Sequence, residues 1–175
     1  MPENTTIVEA LRRNWEMVSA AVAEVDEDTL NTRPNPDSNS MSWLVWHMTR
    51  VTDRFIHYRI AGTPQIWTVE YWYGKFGMPE DPQEYGLGWT NEQAAQWQAS
   101  SKAVLMEYFD RVNTDAAQYL SAMTDADLER VIPFPAPPDT LTVKEALGNL
   151  IWDNIAHGGQ VAYLRGFFRG SGWHR

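Results

Sequence analysis

The sequence contains no cysteine among its 175 residues, which excludes both a disulfide framework and a cysteine nucleophile belonging to the chain itself. It also has no apolar run approaching the ~18 residues that a membrane-spanning helix needs. The opening Met-Pro-Glu-Asn-Thr-Thr has neither the basic region nor the apolar region of a signal peptide. We therefore expect a soluble, cytoplasmic protein with no membrane partner.

Positive charge is also scarce, since 14 Lys and Arg stand against 23 Asp and Glu, for a net charge of -9. Nucleic-acid binding needs a basic surface that displaces counterions from phosphates, so this balance speaks against a nucleic-acid partner. A glycine-rich phosphate-binding loop is absent as well. The length and the hydrophobic content of 43% suit one globular domain over residues 1–175.

Four long segments carry apolar residues at the spacing of an amphipathic helix. They are residues 6–24, 40–61, 90–123 and 142–168. Thr142 and Glu145 have the spacing of a capping box, and Gly62 is typical of a helix end. Nothing between these segments alternates long enough to form a strand. The pattern predicts an all-α protein, a four-helix bundle.

The connection between the second and third predicted helices, residues 63–89, is long and rich in Trp, Tyr, Gly and Pro. Connections of this length are uncommon unless they are functional or cross over the bundle, so we predict one long crossover here. Residues 67–76 could cover a site as a lid. Packing of the crossover, or a dimer contact, is the interpretation we favour.

Asp153 and His157 fall inside the apolar arc of the fourth helix, one turn apart. A buried carboxylate must be paired, protonated or bound to a metal, so a structural Asp–His pair and a metal site both remain open. His47 lies at the edge of the apolar arc of the second helix. Two His and one carboxylate leave a coordination position open for water or substrate, which is typical of a catalytic metal site. Zinc, nickel and Fe(II) all accept such ligands.

Asp53 and His57 repeat the Asp-x-x-x-His spacing on the second helix. A helical wheel places both on the side away from the apolar arc. Because partners four residues apart are common on helix surfaces, we predict a solvated pair without a binding role.

Three further residues are candidates for contact with a substrate. Arg54, two turns after His47, could face an anionic group, although a surface position is the alternative. Gln160 and Tyr163 flank the pair on the fourth helix and could shape a pocket, although packing is the alternative. We predict these three as substrate-binding residues.

Three stretches of sequence resemble the DinB/YfiT-like superfamily of metal-binding four-helix proteins. They are Leu-Asn-Thr-Arg-Pro-Asn-Pro at residues 30–36, Ser-Trp-Leu-Val-Trp-His at 42–47, and Asp-Asn-Ile-Ala-His-Gly-Gly-Gln-Val-Ala-Tyr-Leu-Arg at 153–165. The superfamily also includes the N-terminal domains of mycothiol-dependent maleylpyruvate isomerases and the bacillithiol transferases. The resemblance implies the bundle with its crossover and a tendency to form homodimers. It places metal ligands on His47 and His157, and a third ligand, His or acidic in the family, on Asp153.

The resemblance implies a metal-dependent transferase or isomerase that uses a low-molecular-weight thiol, such as mycothiol or bacillithiol, as cosubstrate. No side chain is predicted to be catalytic. The expected nucleophile is the thiol or water bound to the metal. Zinc or nickel is the expected metal, with iron as an alternative, and a small molecule is the expected substrate. The alternatives are a metal-dependent hydrolase and a non-catalytic helical dimer that binds a ligand.

Overall fold

The computed structural model describes residues 3–170 and 172–173. Its main helices are α1 (Glu3–Ala23), α3 (Met41–Asp53, continued by the π-helix Arg54–Ala61), α7 (Lys102–Ala122) and α9 (Val143–Arg169). Its shorter elements are α2 (Glu27–Asn31), α4 (Ile66–Val69), α5 (Trp72–Lys75), α6 (Asn91–Gln96), α8 (Asp125–Leu128), β1 (Val131–Pro133) and β2 (Thr140–Thr142). The fold is mostly helical, and the predicted all-α class is confirmed.

The four main helices form the bundle, in which α1 and α3 each pack against both α7 and α9. Helix α3 begins at Ser40, whose hydroxyl accepts a hydrogen bond from the Trp43 N–H. Every residue of α3 from Met41 to Asp53 is buried. Because neighbours cover α3 on all sides, its polar side chains are removed from water and depend on partners inside the protein, which the indole Nε1 atoms of Trp43 and Trp46 lack among the described residues.

The third predicted helix is in fact two helices, so its predicted continuity over residues 90–123 is wrong. Thr90 caps the short α6, and Ser101 caps α7. Between them Trp97 takes an extended backbone conformation, and its ring lies 5.0 Å from that of Trp46. We attribute the break to this packing, because a helix continued through Trp97 would point its side chain in another direction.

The prediction of no strands is also wrong, since β1 and β2 form a small antiparallel hairpin just before α9. Ile132 pairs with Leu141 at its centre and is buried. Strands of three residues are too short for an alternating pattern to be recognised in the sequence.

The crossover between α3 and α7 packs into the bundle. Its side chains Trp67, Trp72 and Phe76 are buried, and their rings surround that of Tyr108 on α7 at 5.1–5.8 Å. Trp67, Trp72 and Phe76 therefore anchor this segment in the core, as the crossover-packing interpretation predicted, while Val69 and Tyr71 are exposed.

Candidate metal centre

His47, Asp153 and His157 come together where α3 packs against α9. The His47 Nε2 atom lies 3.6 Å from Asp153 Oδ1, and the His157 Nε2 atom lies 3.5 Å from the same oxygen. The two imidazole rings stand nearly perpendicular with centroids 4.9 Å apart. One ligand atom from each residue lies within 4.8 Å of the others, which is a separation that a shared cation can bridge.

The outer nitrogens of both imidazoles are held by acceptors. His47 Nδ1 donates to the backbone carbonyl of Tyr85, and His157 Nδ1 donates to Gln160 Oε1 at 2.8 Å. A neutral imidazole has one donor nitrogen and one acceptor nitrogen. Because each Nδ1 atom is bonded on the outer side, each Nε2 atom faces the centre and carries the lone pair whenever its ring is neutral. Such support of the outer nitrogen is usual for histidines that bind metals.

Asp153 is the most informative member of the group, because its Oδ2 atom is buried and has no hydrogen-bond partner among the described residues. Burial raises the pKa of Asp153, but the two imidazoles lower it further than burial raises it, so the carboxylate is charged. Burial lowers the pKa of His157, and Asp153 and Gln160 reverse this to a net rise. A buried anionic oxygen without a partner calls for a cation. The residue types and this oxygen fit a divalent metal.

Two close approaches shape the surroundings of His47. The ring of Trp43 stacks on its imidazole with centroids 4.7 Å apart. Gly86 has a φ of +84°, and a Cβ there would fall 2.7 Å from the Trp43 ring. Glycine at this position lets the crossover chain approach closely enough for the Tyr85 carbonyl to reach His47.

Gly158 on α9 also permits a close approach, in this case between α9 and α1. A Cβ there would lie 2.1 Å from Asn14 Oδ1 of α1. The close contact lets Asn14 donate to the Asn154 carbonyl at 2.9 Å, while Asn154 Oδ1 accepts from Trp15 Nε1. These bonds fix the turn of α9 that carries Asp153 and His157. Asn154, not Asp153, is the fully buried residue of that turn.

The prediction that Asp53 and His57 form a solvated pair is wrong, because Asp53 is fully buried and His57 is 9% exposed. The crossover and α7 cover the side of α3 that the helical wheel assigned to solvent. The wheel also assumed a regular α-helix, whereas the chain is a π-helix from Arg54 onward.

The three predicted substrate residues lie in two different clefts. Gln160 and Tyr163 line a cleft of about 620 Å³ between α9 and residues 34–39, and neither His47, Asp153 nor His157 is part of that lining. Gln160 nevertheless connects the cleft to the metal centre through its bond with His157. Arg54 is buried under the Tyr85 ring and lines a separate cleft.

Sequence reasoning missed the supporting residues. Tyr85 acts on His47 through its backbone carbonyl, which no side-chain pattern can indicate. Trp43 lies within the stretch that resembles the family, yet nothing in the sequence indicated that it stacks on His47. Asn154 could have been found as a polar residue on the arc facing α1.

Comparison with known proteins agrees with this geometry. The sequence model of the DinB superfamily matches residues 10–161. The chain belongs to the DinB superfamily. A search of curated proteins finds no match. The crystal structure of a conserved protein from Enterococcus faecalis is similar to this DinB-superfamily chain over 98% of its length and 99% of the other, with 26% identity and a TM-score of 0.86. Within the described residues, no helix is both long enough and apolar enough to cross a membrane.

Proposed function

We propose that this chain is a metal-dependent enzyme that binds a divalent cation, zinc or nickel, through His47, Asp153 and His157. We further propose that it uses a low-molecular-weight thiol in a transferase or isomerase reaction on a small molecule. The observation that carries the proposal is the convergence of two imidazole Nε2 atoms on a carboxylate whose second oxygen has no partner among the described residues.

Neighbouring groups hold the three candidate ligands in place for a cation. The Tyr85 carbonyl and Gln160 orient the two imidazoles with Nε2 inward, so neither ring would have to turn to hold a cation. Asp153 supplies the negative charge. A bound divalent cation lowers the pKa of a coordinated thiol or water and so supplies a nucleophile near neutral pH.

Because the chain has no cysteine of its own, the thiol of the proposed reaction would come from a cosubstrate. The cleft beside α9 offers about 620 Å³, which is enough for a small molecule. Gln160 is shared between this cleft and His157, so a molecule bound there would lie one side chain away from the metal centre. Tyr163 is 71% exposed and contributes an aromatic face to the same cleft.

The test is turnover by the untagged protein loaded with zinc or nickel, with mycothiol or bacillithiol and an electrophile such as monochlorobimane or an epoxide. We expect product formation that requires both metal and thiol. His157→Ala and Asp153→Asn should reduce it to background, because each removes a ligand. The matched control is His57→Gln, which changes the other Asp-x-x-x-His pair and should retain turnover in the folded fraction.

Other outcomes separate the alternatives. Metal-dependent turnover that needs no thiol would replace the thiol reaction with hydrolysis. Failure of every combination of metal, thiol and electrophile would contradict the enzymatic proposal and leave a ligand-binding protein.

We also propose a homodimer, which the resemblance to the superfamily implies. The support is a row of exposed apolar side chains along α9, namely Trp152, Ile155, Tyr163 and Phe167, which are 48–74% exposed. Apolar surface gathered on one helix face is typical of a protein interface. A single monomeric species in sedimentation velocity at micromolar concentration would contradict this.

A further inference from the structure

A second cleft, of about 700 Å³, lies where the π-helix that ends α3 meets the crossover and β1. Two arginines, Arg54 and Arg59, line it together with glutamine, tyrosine, phenylalanine and proline side chains. In the described part of the chain no Asp or Glu belongs to the lining, although the protein carries a net charge of -9. The cleft is therefore a local concentration of positive charge on an acidic protein.

These two arginines differ from the others in residues 3–170. Six arginines pair with carboxylates, namely Arg12, Arg13, Arg50, Arg111, Arg165 and Arg169. Arg33 and Arg130 donate to backbone carbonyls. Within that range, neither Arg54 nor Arg59 has a carboxylate partner.

Arg54 is only 5% exposed, so its charge is held inside the protein. Its guanidinium lies 3.8 Å from the Tyr85 ring centroid, and its Nη2 atom donates to Gln83 Oε1 at 2.8 Å. Its Nε atom is buried and has no partner in the described part of the chain. A neutral amide and an aromatic face do not neutralise a buried guanidinium, which leaves it able to bind an anion.

Arg59 is near enough to Arg54 for the two charges to interact. Burial lowers the pKa of Arg59, and the positive charge of Arg54 lowers it further. Its guanidinium lies 5.1 Å from the Phe134 ring centroid, and its buried Nε atom lacks a partner among the described residues. Two unpaired like charges in a partly buried cleft repel each other, and an anion placed between them removes the repulsion.

We propose that Arg54 and Arg59 bind the oxyanion group, a carboxylate or phosphate, of a small molecule whose apolar body lies against Tyr58, Phe134 and the neighbouring prolines. The planar guanidinium matches the two oxygens of such a group. Tyr85 joins this site to the metal centre, since its ring covers Arg54 and its carbonyl holds His47. The site binds oxyanions whether or not a metal is present, and its assignment to the substrate rests on the proposed function.

The experiment is calorimetric titration of the chelator-treated full chain with phenyl phosphate, benzoate, inorganic phosphate and benzyl alcohol. Phenyl phosphate and benzoate should bind one molecule per chain, and benzyl alcohol should not bind. Arg59→Gln should weaken phenyl phosphate binding by about tenfold or more, the effect of losing one charge-assisted hydrogen bond. Arg59 is the residue to change because it is less buried than Arg54, and a melting curve checks that the variant is folded.

The matched control is Arg13→Gln, which makes the same change of net charge on the exposed side of α1 and should leave the affinity unchanged. Equal affinities of wild type and Arg59→Gln, or equal weakening by Arg13→Gln, would overturn the site. If phenyl phosphate bound no more tightly than inorganic phosphate, the proposed contact of the ligand's apolar body with Tyr58 and Phe134 would be wrong. Asp153→Asn should lose metal and keep oxyanion binding, so failure of the metal proposal and failure of this one are distinguishable.

Discussion

The two Asp-x-x-x-His pairs have the same spacing and opposite surroundings. At the first pair the Asp53 carboxylate accepts the N–H groups of Ile66 and Trp67 and the Tyr108 hydroxyl, at 2.7–2.9 Å. Its histidine, His57, is bonded to Asp53 through Nδ1 and to Asp115 through Nε2, at 2.8 Å each. Both carboxylate oxygens of Asp53 and both ring nitrogens of His57 therefore have partners.

At the second pair, Asp153 and His157, the polar atoms are only partly hydrogen-bonded. Asp153 Oδ2 has no partner in the described chain, and the Nε2 atoms of His47 and His157 face Asp153 Oδ1 from 3.5–3.6 Å, too far for good hydrogen bonds. The comparison teaches that spacing brings the groups together, whereas the number of partners supplied by the rest of the fold decides their role. A fully bonded pair stabilises the fold, and an incompletely bonded pair is available to a ligand.

The largest expected effect comes from making the same substitution in both pairs. Asp53→Asn should lower the free energy of unfolding by about 3–5 kcal/mol, because Arg50, which is fully buried, loses its carboxylate. Asp153→Asn in chelator-treated protein should change it by less than about 1 kcal/mol, because the carboxylate it removes is incompletely bonded. Urea unfolding of both variants measures the difference. Equal losses would mean that the two pairs are both structural.

A smaller effect concerns the pH dependence of stability. Burial lowers the pKa of His57, but Asp53 and Asp115 outweigh burial and raise it to about 9, from an ordinary value of 6.5. A histidine with a raised pKa stabilises the fold fully below its unfolded value, and that contribution is lost as the pH rises through the folded value. The difference in unfolding free energy between wild type and His57→Gln should therefore shrink from pH 6.5 to pH 10.

The size of this change is roughly 2 kcal/mol or more, at about 1.4 kcal/mol per pKa unit. Taking the difference against His57→Gln cancels other groups that titrate in the same range, including His157. A difference that stays constant over this pH range would show that His57 is not held charged between its two carboxylates.

Much of the fold could be predicted from the sequence because capping residues mark where several of the main helices begin. The capping box of Thr142 with Glu145 lies where predicted, and the second long helix starts next to residue 40, as its apolar spacing predicted. Asp153 and His157 were predicted from the inward face of α9, His47 from the edge of the apolar arc of α3, and all three from the resemblance to DinB-like proteins; the structure brings them together. The local pattern alone left a structural Asp–His pair open, and the resemblance favoured the metal site.

The errors share a physical cause, which is coverage by distant chain segments. The wheel for α3 could not show that the crossover would bring the Ile66 and Trp67 N–H groups to Asp53. It likewise could not show that Asp115 of α7 would reach His57. The break at Trp97 has the same origin, because its partner Trp46 is distant in sequence.

The most direct test of the account is a crystal of the untagged protein soaked in zinc, with an anomalous difference map at the zinc edge. The account predicts one strong peak about 2 Å from the Nε2 atoms of His47 and His157 and from a carboxylate oxygen of Asp153. The Asp53–His57 pair should show no peak. A zinc peak at that pair, or no peak between α3 and α9 at saturating zinc, would contradict it.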